Sequence, residues 1–254
     1  MPIHIRADSR DVMRSLRRLS REDAPMVTAY ALTKTGQDIK AAEYASMKAV
    51  FDRPTRFTLN SLYLKTATKT DLVAVVYFKE GFGSIPAWRY LGPQVEGGPR
   101  QHKAHEKRLI RAGHMKPDEY AVPGAGAKLD QFGNLSGSTI ERILSQVQAA
   151  EQFGGYQANA TDSRRSKAKR RKSGRYFVLR PELSGRAGRK VPPGIYFRKD
   201  LKEIVPVIMF VQAPRYRKRF PFYETGREVF AAKFAQHGRD GFNRFVVSRM
   251  KKAA

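Results

Sequence analysis

Cysteine is missing from all 254 residues, and with it go disulfides, thiolate nucleophiles and cysteine-ligated metal sites. Acidic residues are scarce: 23 Asp plus Glu stand against 49 Lys plus Arg, a formal net charge of +26. Long apolar runs are lacking too. The longest, "IVPVIMFV" at 204–211, has a proline inside it and falls far short of the ~20 residues a membrane-crossing helix needs. The opening "MPIHIRADSR" lacks the apolar stretch of a secretory signal, so a soluble protein is expected, with no membrane partner. What remains is an ordinary globular balance, 41% hydrophobic against 28% charged, and enough chain for a real apolar core.

A compact body with so much charge of one sign repels itself and gains from an anionic partner. Nucleic acid is the first candidate and an acidic protein surface the second. The cations are also unevenly placed. Between Arg164 and Phe220, 19 Lys plus Arg face three acids, Glu182, Asp200 and Glu203. Within this stretch "SRRSKAKRRKSGR" carries Arg164, Arg165, Lys167, Lys169, Arg170, Arg171, Lys172 and Arg175, and "RYRKRF" adds Arg215, Arg217, Lys218 and Arg219. These twelve are the candidate contacts for nucleic acid or an acidic partner. Tyr176, Phe177, Tyr196, Phe197, Tyr216 and Phe220 are interleaved with them, either as rings on which nucleic-acid bases stack or as core residues alternating inward.

Hydrophobic periodicity predicts an α+β fold: N-terminal helices, an antiparallel sheet of mixed strand lengths, a loop-rich insertion, and C-terminal helices packed on the sheet. Val12, Leu16 and Leu19 suggest a first helix, Ser20–Pro25 a break, and 26–51 a longer helix halted by Pro54. "SLYLKTA" and "LVAVVYFK" read as a hairpin whose second strand, apolar on both faces, belongs inside a sheet. A single domain over 1–254 is expected, its core 1–80 and 175–254, with strands on both sides of the insertion sharing one sheet. The insertion, about 81–174, is Gly/Pro-rich and then basic, with loop at 81–100, a short helix closed by Gly113, and a helix from Ser138 with Glu141 as capping box. The basic run is expected to be mobile in isolation. Strands follow at 175–180, 194–199 and 203–212, then helices with Thr225 and Glu228 as a second capping box.

No catalytic constellation emerges. His102 and His105, three apart with His114 near in sequence, could face one metal, but "HKAHE" is not a zincin pattern and no carboxylate completes a set. The "GIY" at 194–196 is half a nuclease signature without its partner, and the Pro117–Asp118 pair lacks the acidic-x-Lys strand of a restriction-type nuclease. "VEGGPR" and "PGAGA" lack the Lys-Ser/Thr of a phosphate loop. No catalytic, metal or cofactor-binding residue is assigned, and a non-enzymatic protein is expected.

The succession "RYLGPQVEGGPRQHKAHEKRLIRAG", "YAVPGAGAKLDQFGNLSGSTIERILSQV" and "PPGIYFRKD…PVIMFVQAPRYRKRFPFYE" resembles a group of phage virion proteins encoded among head–tail joining and tail genes. More distantly the chain is similar to the tail completion or minor tail protein Z family. The resemblance spans most of the chain, and its motifs are structural. It implies completion of the tail or neck at the head–tail junction, as a homo-oligomeric ring or connector component. The implied partners are portal, connector or tail tube and terminator proteins, with packaged DNA as a further contact and the virion as location. A freestanding basic nucleic-acid-binding protein is the alternative. A nuclease, which would need His102 or Asp118, ranks below both.

Overall fold

The computed structural model describes residues 17–80, 85–150, 152–153, 156–157, 159–180, 191–198, 203–212 and 215–253. It belongs to the α+β class, and every paired strand is antiparallel. In chain order the main elements are α1 (Ala24–Val50), β1 (Leu62–Lys65), β2 (Val75–Phe78), α2 (Trp88–Glu96), α3 (Ala104–Arg111), β3 (Glu119–Pro123), α4 (Gly137–Gln146), α5 (Arg164–Ser173), β4 (Arg175–Leu179), β5 (Gly194–Arg198), β6 (Ile204–Gln212) and α6 (Phe222–Phe242). The chain divides into two compact units, 1–95 with 218–254, and 96–217.

In the first unit α1 and α6 lie antiparallel: Asp23 meets Arg249 at 2.6 Å, Tyr30 meets Phe245 edge-on, and Asp38 meets His237 at 2.7 Å. Close approach is possible at Gly241, where an added Cβ would press on the Tyr30 ring and the Val27 carbonyl. Residues 1–16, which hold most of the expected first helix, lie outside the described residues. The expected break at Ser20–Pro25 does not occur. A π-turn at Leu19–Asp23, closed by the Ala24 N–H on the Leu19 carbonyl, leads straight into α1, and this widened turn lies where Pro25 provides no N–H to the turn before it. Pro54 follows the end of the helix as expected.

The core of this unit joins Met47 from α1, Leu62 and Phe78 from the hairpin, Ala87, Leu91 and Val95 around α2, and Phe220. The C-terminal helix packs on the hairpin through Phe222, whose ring centroid is 4.8 Å from that of Phe78. That packing starts α6 at Phe222, so Thr225 lies inside the helix, bonded through its N–H to Pro221, and is no cap. Burial of Leu91 and Val95, with Gly92 against the Trp88 ring, likewise makes a helix of "WRYLGPQVE", where Gly/Pro content predicts loop. The β1–β2 hairpin pairs with no further strand among the described residues, so Tyr63 and Tyr77 of its outer face stay exposed.

The second unit is a four-stranded sheet, order β3-β6-β5-β4. Leu109, Ile143, Leu144 and Val147 from the two helices α3 and α4 meet Ala121, Tyr176, Ile195, Ile208 and Phe210 of the sheet. The expected sheet spanning the insertion is therefore not what pairs. β3, inside the supposed insertion, completes the late strands instead. Its few residues, "EYAVP", show no period long enough to flag. Helix α3 ends at Gly113 with φ +73°, as expected. Helix α4 starts one turn-position earlier than expected: Ser136, not Ser138, accepts the Thr139 N–H.

Glu43 is a misfit in the first unit. It is fully buried in α1, and neither carboxyl oxygen has a hydrogen-bond partner among the described residues. Burial, reinforced by the Glu224 charge, pushes its pKa up to about 8. Because the folded value lies above the ordinary 4.5, the stability tied to the neutral carboxyl is intact below pH 4.5 and is lost as pH rises through 8. Melting scans should therefore show the wild type losing stability between pH 5 and 8, with a slope approaching ~1.4 kcal/mol per pH unit relative to Glu43→Gln, and levelling off above pH 8. Parallel profiles for the two proteins would refute this.

Candidate polyanion-binding surface

The basic run expected to be mobile is a helix, α5, and three local features make it one. Ser163 caps it, its hydroxyl accepting the Ser166 N–H at 3.2 Å. Lys, Arg and Ala are strong helix formers. Gly174 ends it in the left-handed region at φ +84°. Gly174 is buried, and a Cβ there would overlap the Phe197 ring and come within 3.0 Å of the Arg198 carbonyl. This glycine turns the chain from α5 directly into β4.

Arg175 opens β4 opposite Arg198 of β5, and both are exposed. Like charges facing across two strands are destabilising unless an anion lies near. Arg198 also spreads over the Phe177 ring, 5.2 Å from its centroid. Arg164, Arg165 and Lys167 are exposed and have no ion-pair partner among the described residues. Lys169, Arg170, Arg171 and Lys172 fill the following positions of the same helix. The structure thus gathers the first eight candidate cations on one helix–turn–strand segment and adds Arg198.

The second cluster fares differently. Arg215 lies in a two-residue strand paired with Pro99, and Arg217 is exposed. Lys218 and Arg219 belong to the first unit and are engaged there. Lys218 pairs with Glu224 at 2.7 Å, and Arg219 donates to Gln94 at 2.6 Å while covering Phe51. Of the interleaved aromatics, Tyr176, Tyr196 and Phe220 are core residues; Tyr196 also donates its hydroxyl to Pro192. Phe177 is half-buried under Arg198, Phe197 packs against the core beside Tyr176, and Tyr216 is half-buried next to Arg100. The "GIY" tripeptide is structural packing: Ile195 is fully buried, and Gly194 passes against the Ile208 carbonyl.

The histidines do not converge. His102 stacks on Tyr120 and shares a hydrogen bond with the Glu119 carbonyl, while His114 bonds the Val147 carbonyl. Burial, helped by Lys103, Arg100 and Arg108 against the pull of Glu106, drives the His105 pKa down to about 4, so its ring is neutral at pH 7. No group of three or more His, Asp or Glu that could hold a metal ion occurs among the described residues.

Two Arg–Glu forks brace the sheet that carries this surface. Arg100 grips Glu106, with Nη1 2.7 Å from Oε2, and Glu106 also accepts the N–H groups of Lys103 and Ala121. Arg180 grips Glu119 and donates twice to the His114 carbonyl, while Glu119 accepts the Lys116 N–H. Burial by itself raises both carboxyl pKa values, but the guanidinium and backbone donors outweigh it and hold both below the ordinary 4.5. Neither fork was legible in the sequence, because their partners lie 6 and 61 residues apart with no shared pattern.

Comparison with models of protein families, with curated proteins and with solved structures found no match.

Two outcomes follow from this geometry. Stability contributed by the forks is present above pH 4.5 and is lost as pH falls through the depressed folded values. Glu106→Gln should therefore weaken the protein at pH 7 and flatten its loss of stability in acid, read by denaturant unfolding; an unchanged acid limb would remove the fork from that role. Gly174→Ala should cost ~2 kcal/mol or more through backbone strain and the Phe197 clash. A neutral result in the same assay would show that the α5–β4 turn is not fixed as described.

Proposed function

We propose that this chain is a structural protein of a tailed phage particle, completing the tail or neck at the head–tail junction. It acts through ring assembly and through contacts with portal or tail proteins and packaged DNA. The observation that carries this reading is the cationic segment α5–β4, held on a braced sheet with no acids to neutralise its described side chains. Such a surface has value where it meets an anionic partner permanently, since complementary charge sets register and speeds docking. The resemblance of the chain's motifs to phage virion proteins is what suggests the virion as its location.

A second feature favours assembly. Gly241 is the single fully buried residue of α6, while Tyr223, Phe230 and Phe242 stand exposed, with Phe230 and Phe234 stacked at 4.8 Å. A 21-residue helix so sparsely covered offers apolar area to neighbouring subunits. Mass spectrometry of particles washed in high salt should detect the chain at fixed copy number, cross-linked to portal-proximal or tail proteins. Its absence from washed mature particles would overturn the reading. The alternative, a freestanding nucleic-acid-binding protein, draws on the same α5 cations and predicts the chain outside particles, bound to nucleic acid.

A further inference from the structure

We propose that α5 is a groove-filling helix: it seats in the major groove of duplex DNA, with Arg175 and Arg198 on the flanking phosphates, and holds the duplex with little reading of its sequence. The proposal rests on the structural role above only for its setting; it names the anion that this surface takes.

The decisive feature is how cations are distributed around the helix. At 3.6 residues per turn, the seven Lys and Arg positions between Arg164 and Lys172 leave no gap wider than about 100°. That gap is occupied by positions 166 and 173, both serine. Ser166 is partly covered, whereas Arg164, Arg165, Lys167 and Ala168 are exposed, so the helix turns the side that carries Ser166 inward, and the cationic positions are distributed around the remaining three quarters.

Such a helix fits poorly on most anionic partners. A protein interface contacts one face and is depleted of charge at its centre, so an acidic protein would leave most of these cations unpaired. A membrane surface demands an apolar face, and Ala168 is the only apolar residue in α5. The major groove of A-form RNA is too narrow and deep for side chains to read, let alone for a helix. The B-DNA major groove is about 12 Å wide and walled by phosphates on both sides, which matches a helix about 10–12 Å across that is basic nearly all round. Gly174 then places Arg175 and Arg198 at the helix's exit, where an anion between them relieves their mutual repulsion. With no Asn, Gln, Asp or Glu in α5, adenine and cytosine edges go unread, and cationic positions spread around the helix face both phosphate walls. Phosphate contacts therefore dominate, and sequence discrimination is confined to the weak preference an Arg or Lys has for guanine.

The test uses the full chain and fluorescence anisotropy with a labelled 20-bp duplex DNA, a duplex RNA of the same sequence, and poly-L-glutamate as competitor. DNA should bind at least ten-fold more tightly than RNA, and polyglutamate at equal charge should compete at least ten-fold more weakly than unlabelled duplex. Affinity for DNA should fall about 10³-fold between 50 and 200 mM salt. Arg175→Gln with Arg198→Gln should reduce the slope of log affinity against log salt by about 2, equally for unrelated sequences. Arg164→Gln, Arg165→Gln and Lys167→Gln together, all at exposed helix positions, should reduce it by about 3, independently of any effect on the sheet. Equal binding of DNA and RNA, effective competition by polyglutamate, or an unchanged slope in both variants would overturn the proposal. Because the particle experiment reads location and this one reads affinity, either reading can fail while the other stands.

Discussion

Scarcity of carboxylates is the constraint that shapes this molecule, and the buried Arg–Glu forks show how it acts. Only 23 acids are available, and the fold takes Glu106 and Glu119 out of solvent to anchor β3 against Arg100 and Arg180. Removing one partner from such a pair is far more damaging than the pair is stabilising, because a buried charge is left uncompensated. Each acid used inside is also withheld from the surface. The choice that fixes the sheet leaves fewer carboxylates for the surface, where Arg164, Arg165 and Lys167 have no ion-pair partner among the described residues.

The first unit handles its acids differently. Glu43 has no ion-pair partner among the described residues and is neutral at pH 7, while Glu224 keeps its charge with Lys218 as the first cause. Arg249 and His237 meet Asp23 and Asp38 between the two long helices, so polar pairs rather than a continuous apolar seam set their register. Aromatic packing is concentrated at one end, where Phe51, Phe78, Phe220 and Phe222 meet, and the rest of α6 is thinly covered.

Much of this was readable from residue patterns, and the failures have physical causes. Helices α1 and α4 and strands β4, β5 and β6 followed from apolar period, because burial on one face leaves that mark. The α5 cations were visible as the dominant signal, but the helix they form was not, because their charge drew attention away from a serine cap and a run of good helix formers. Arg198 went unnoticed as a partner of Arg175, since cross-strand register is invisible without the pairing. Helix α2 and strand β3 were missed because tertiary burial overrode Gly/Pro content in one and brevity hid the other. The twelve-residue candidate set also divided for a reason of distance: Lys218 and Arg219 found Glu224 and Gln94 nearby, whereas Arg164, Arg165 and Lys167 have no ion-pair partner among the described residues.

The β3 border of the sheet has its own significance. Ala121 gives its N–H to Glu106 and takes Arg100 on its carbonyl, and His102 shares a bond with the Glu119 carbonyl. A rim whose main-chain groups are already occupied by its own side chains has little left with which to recruit a foreign strand. That edge is thereby closed to one route of edge-to-edge strand pairing between copies.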